Sequence, residues 1–199
     1  MTIMTKLEEI KTFFESGKSD NEYYFSLVPE YKEIGSIVEK DQFPLYSTRV
    51  LDTLEIGLQS DLNNGDSLSA AYDVLSRIVE RRPQLAEKVF GVLKKGLQSD
   101  KNDHTSLYSA YFTLVEIATK RPELSTEIFK TFKSCLQSDK NNKYSFSGAT
   151  SALDHLLDYQ PQLLPEVKNV CNSVPNKNDL REACGYVRML NIIKSDKTH

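Results

Sequence analysis

No apolar run in this sequence comes near the ~20 residues needed to cross a bilayer, so no membrane partner is expected. Residues 1–10 carry neither the basic start nor the apolar stretch of a secretory leader, and the simplest expectation is a cytoplasmic protein. Glycines number eight and are nowhere clustered. A phosphate-cradling loop needs clustered glycines so that backbone amides can approach the ligand, so neither a nucleotide site nor a small-molecule substrate is indicated. The Gly-x-Ser-x-Gly elbow of serine hydrolases is missing as well. Cys135, Cys171 and Cys184 are odd in number, and their spacing matches no zinc or redox motif. His104, His155 and His199 are the only histidines and none precedes a glutamate, which leaves no ligand set for zinc, heme or iron. No cofactor and no catalysis are expected. An excess of basic charge is absent too: 25 Lys and Arg are set against 28 Asp and Glu, for a net charge of −3. Nucleic-acid binding relies on clustered cations that release counterions from phosphate, so a nucleic acid is an unlikely partner.

What the sequence does contain is a repeat. Leu-Gln-Ser-Asp stands at 58–61, 97–100 and 136–139, each 39 residues from the last. Pro44, Pro83, Pro122 and Pro161 keep the same interval, as do Ser67, Ser106 and Ser145, and Ala71, Ala110 and Ala149. A two-residue insertion near 41–43 brings the segment from Ser26 into the same register, and a turn shortened by five residues brings in 161–194. The chain divides into about five units, at 5–40, 44–82, 83–121, 122–160 and 161–194, within a single domain spanning 1–199.

Each unit shows helical periodicity twice. Leu85, Val89, Phe90, Leu93 and Leu97 form one apolar stripe, matched a unit later by Leu124, Ile128, Phe129, Phe132 and Leu136. Leu68, Ala71, Leu75, Ile78 and Val79 form a second, matched by Leu107, Ala110, Leu114, Ile117 and Ala118 and by Phe146, Ala149, Leu153, Leu156 and Leu157. Period-two alternation is absent, so no strands are expected. The recurring serines suit the N-cap of the second helix, and the Ser-Asp and Asn-rich segments suit the turn within each pair. Each proline closes one unit and opens the next, because it disfavours helix in the residue before it and is pre-set for a first helical turn. One such pair cannot cover its own apolar flanks, so neighbours must stack.

This pattern resembles the HEAT and armadillo superfamily of paired-helix repeats over residues 5–194. It shares an apolar helix ending in Leu-x-x-Asp, a short polar turn, and a second helix with alanine near its start. The segment Asp179-Leu180-Arg181-Glu182-Ala183 looks like the Asp-x-Arg-x-Ala opening of a HEAT second helix, although arginine takes that place in the last unit alone. The resemblance implies an all-α, right-handed α-solenoid of about five antiparallel pairs, whose second helices line a concave face used to bind proteins.

On that reading the chain is a non-catalytic scaffold for a partner protein or peptide; a nucleic-acid-binding or -modifying protein on the same frame is the alternative. Second-helix positions outside the core stripe are the candidate contacts: Tyr72, Asp73, Arg77, Tyr111, Phe112, Val115, Glu116, His155 and Tyr159. Aromatics and arginine are the types enriched where proteins meet, and Phe112 and Val115 are not explained by the core pattern. The competing reading for the aromatics is packing between neighbouring units. Asp20, Asp61, Asp100 and Asp139 are expected to serve the turns.

Overall fold

The computed structural model describes residues 2–16, 27–40, 43–172 and 174. Among them every regular element is helical: α1 Ile3–Ser16, α2 Val28–Val38, α3 Phe43–Leu58, α4 Gly65–Arg81, α5 Ala86–Leu97, α6 His104–Lys120, α7 Ser125–Leu136, α8 Lys143–Tyr159 and α9 Leu164–Asn172. The repeat register predicts this order. Both apolar stripes of the units at 83–121 and 122–160 face the core, with Leu85, Leu97 and Leu124 at its margin. Cys184, the Asp179 to Ala183 segment, Asp20 and His199 lie outside the described residues.

The capping differs in detail from the expectation. Ser67, Ser106 and Ser145 are not N-caps; Asn64, Asp103 and Asn142 are, each with extended backbone and a side chain accepting from the first-turn amides. The serines sit three residues later. Asp103 and Ser106, and Asn142 and Ser145, form reciprocal capping boxes, so each pair satisfies donors that a helix start would otherwise leave bare. Ser67 also reaches across to the preceding unit, where its hydroxyl accepts from the Leu27 amide at 2.9 Å. The prolines Pro83, Pro122 and Pro161 each begin a single 3-10 turn leading into the next helix.

The turns reveal what ties one unit to the next. Asn63, Asn102 and Asn141 donate through Nδ2 to two backbone carbonyls of their own turn: Gly57 and Ser60, Gly96 and Ser99, Cys135 and Ser138. That leaves each Oδ1 facing the previous unit, where it accepts the hydroxyl of a second-helix tyrosine: Tyr31 at 3.1 Å, Tyr72 at 2.9 Å and Tyr111 at 2.8 Å. Tyrosine is well suited to this place, because its ring fills core volume while its hydroxyl needs one polar partner. The ring also needs room at the end of the first helix. A Cβ on Gly96 would fall 2.9 Å from the Tyr72 ring, so the smallest residue is required there. Asp61, Asp100 and Asp139, by contrast, are exposed, and the asparagines hold the turns together.

Helices α2, α4, α6 and α8 pack one on the next, and so do α1, α3 and α5. The first series is the tighter: α4 on α6 and α6 on α8 make the two largest helix contacts, whereas the α5 and α7 backbones stand farther apart and are bridged by the Lys94 and Glu127 ion pair at 2.6 Å. Small side chains allow the close approach. Ala71, Ala110 and Ala149 are fully buried, and the Ser69 and Ser109 hydroxyls meet at 2.8 Å between α4 and α6. Thr113 of α6 donates to the Tyr72 carbonyl of α4 at 3.0 Å, and Gln160, after α8, donates to the Ala118 carbonyl of α6 at 2.8 Å.

Candidate functional site

The structure divides the nine candidate contacts into three groups. Tyr72 and Tyr111 are 0% exposed and Val115 is 3% exposed, so none of the three offers a free surface. This corrects the expectation that they face outward. The tyrosines point into the core because an asparagine in the next turn satisfies their hydroxyls, and Val115 packs into the seam between α6 and α8.

Asp73 and Arg77, one helical turn apart on α4, and Tyr159 at the end of α8 are exposed but do not line the groove described below. Arg77 turns toward α2, with a guanidinium nitrogen 3.8 Å from the Glu39 carboxylate, to which Arg81 is also bonded. Asp73 turns toward α6. Partial burial there raises its carboxyl above the usual range, while a hydrogen bond from Ser109 and the charge of Arg77 pull the other way. Tyr159 meets His155 edge to face, with ring centroids 4.9 Å apart.

The third group comes together. Phe112, Glu116 and His155 line one groove of about 420 Å³ between α6 and α8, with Val115 as part of its floor. Its other described lining residues are Ser76, Tyr108, Ser151, Asp154 and Asp158. Tyr108 and Phe112 are one helical turn apart on α6, and their rings sit 5.2 Å apart at 43°. They are 44% and 36% exposed, so two large rings stand open to solvent on an otherwise polar helix face. Tyr108 lies down across α8 because residue 148 is glycine: a Cβ there would come within 2.4 Å of its Cδ2. In the unit before, the corresponding contact is the small pair Ser69 and Ser109.

Periodicity did not single out Tyr108, Ser151 or Asp154. A signal for Tyr108 does exist, since the positions 39 residues to either side are Ser69 and Ser147. An aromatic residue where its siblings are serine cannot be serving the shared core.

Chemically, the groove presents ring faces at one end and carboxylates at the other, a surface suited to holding a guest by stacking and charge. No cluster of His, Cys, Asp and Glu among the described residues could hold a metal ion, and no described helix is long and apolar enough to span a membrane. Cys135 and Cys171 are buried in the core; burial pushes the Cys135 thiol up to about 12, which keeps it a neutral packing group.

No family model matches this chain, and no curated protein or solved structure does either.

Proposed function

We propose that this chain is a non-catalytic interaction scaffold in the cytoplasm, a right-handed α-solenoid of the HEAT or armadillo kind with about five helix pairs, which binds a partner protein or peptide along the face of its second helices. One observation carries the reading: Tyr108 and Phe112 stand exposed in the seam between α6 and α8, where the Tyr108 position is serine in the neighbouring units. Rings left this exposed, one of them at a register where serine suffices in the neighbouring units, are more than the shared packing requires, and aromatics in a groove are typical anchors for protein contacts.

The geometry of the stack supports the choice of face. Second helices pack on one another more closely than first helices do, which bends a stack toward the second-helix side. That side then becomes the inner surface, where successive side chains converge on an extended guest. The buried, neutral thiol of Cys135 suits a reducing compartment.

Affinity capture from the native lysate, read by mass spectrometry, tests this directly. The variant Arg77→Glu, Phe112→Ala, Glu116→Lys is expected to lose the protein partners held by the parent chain while keeping its helical signal and melting temperature. Capture of the same partners at the same yield would reject this face.

A further inference from the structure

We infer that the groove between α6 and α8 receives an apolar peptide segment carrying an arginine or lysine, whose stem crosses the Phe112 ring and whose charged head lies among Glu116, Asp154 and Asp158. The inference rests on the preceding reading of the face and adds the chemistry of the guest.

Three observations point to a basic guest. The described lining of the groove holds three carboxylates and neither lysine nor arginine. The basic residues nearby on this face already have partners: Arg77 faces Glu39, and Lys120, one turn past Glu116, pairs with that carboxylate at 3.4 Å and offsets part of the groove's negative charge. Asp154 and Asp158 also interact within the chain, so what favours a cation is the sign of the whole lining and not a bare carboxylate. Finally, the carboxylates adjoin ring faces. Arginine and lysine combine an apolar stem with a cationic head, and either head is attracted to an aromatic face and then to a carboxylate beyond it.

The order of residues also sets a direction. His104, Tyr108, Phe112 and Glu116 follow one another at four-residue steps along α6, a line of about 18 Å at 1.5 Å per residue. His104 lies 6.5 Å from the Tyr144 ring of α8, centroid to centroid, so the end near the helix starts is aromatic on both sides. The far end, around Glu116 and Asp158, is acidic. A bound segment would therefore place its apolar residues near Tyr108 and its basic residue toward the carboxyl ends of α6 and α8.

Selection of a random dodecapeptide phage library on the full chain tests the idea. The most enriched peptide is then synthesised with a fluorescein label, and its Kd is measured by anisotropy at low and high salt. Enriched peptides are expected to carry Arg or Lys beside an aliphatic or aromatic residue. Binding should weaken about tenfold or more with Phe112→Ala, and about tenfold with the pair Glu116→Gln and Asp158→Asn, each variant keeping the parent's helical signal and melting temperature. It should also weaken several-fold at high salt. An uncharged or acidic peptide that loses affinity with Phe112→Ala would overturn the basic guest and leave the face standing. A basic peptide indifferent to Phe112→Ala would overturn both. Failure to enrich any peptide, or indifference to the Glu116 and Asp158 pair, would overturn the basic guest alone.

Discussion

Replacing Asn102 with alanine is expected to destabilise the chain by about 3 to 4 kcal/mol, a large part of the roughly 5–15 kcal/mol typical of a whole domain. Asn102 is buried and uses both ends of its amide. Nδ2 binds the Gly96 and Ser99 carbonyls, each at 2.9 Å, and Oδ1 accepts from Tyr72 at 2.9 Å and Ser106 at 3.1 Å. Alanine would strand the Tyr72 hydroxyl in the core, and a buried donor without a partner costs about 1–3 kcal/mol. The turn carbonyls lose their donor at the same time, whereas Ser106 still has the Asp103 carbonyl at 3.0 Å. Tyr72→Phe removes the hydroxyl and its partner bond together, so its expected cost is smaller, about 1–2 kcal/mol. Because the two residues share one bond, the double variant should cost less than the sum of the singles, by about 0.5 kcal/mol or more. Urea denaturation followed by circular dichroism measures all three. Strict additivity would show that the tyrosine and asparagine do not connect neighbouring units.

Leu114→Ala is expected to cost about 2–5 kcal/mol, the range for leucine truncation in a packed core. Leu114 is fully buried on α6, which packs on α4 before it and α8 after it, and it corresponds in register to Leu75 and Leu153, both buried. A cavity at Leu114 weakens both seams of the central helix at once. With a urea m-value near ~2 kcal/mol/M, the midpoint should fall by about 1–2.5 M. A shift below about 0.3 M would mean that the stripes do not form one shared core.

The helices and their order were legible because the same apolar stripes return every 39 residues, and a recurring stripe must meet a recurring partner. The caps were half legible. Asn64, Asp103 and Asn142 compete with the serines three positions on, and both types suit a helix start; only backbone conformation decides which leads. Tyr72 and Tyr111 were misplaced for a long-range reason. A tyrosine at the margin of a stripe looks like surface until an asparagine 30 residues further on supplies the partner for its hydroxyl. Such a partner is invisible to any local pattern. Within the groove, Phe112 and Glu116 were legible as departures from the core pattern, and His155 as an exposed sibling of Glu116. Tyr108 could have been found in the same way, by asking which position breaks its own repeat. The carboxylates of Asp154 and Asp158 depended on which side α8 turns toward α6.

Both the groove and the face require α4, α6 and α8 to lie side by side in register. Ser69 of α4 and Ser109 of α6 meet at 2.8 Å through their hydroxyls, close enough for a disulfide if both are cysteine. The Ser69→Cys, Ser109→Cys variant should close an intramolecular disulfide under mild oxidation, seen as a loss of two free thiols and a mass lower by two hydrogens, with helical content unchanged. Persistence of both thiols in the folded chain would contradict the stacking of second helices on which the binding face depends.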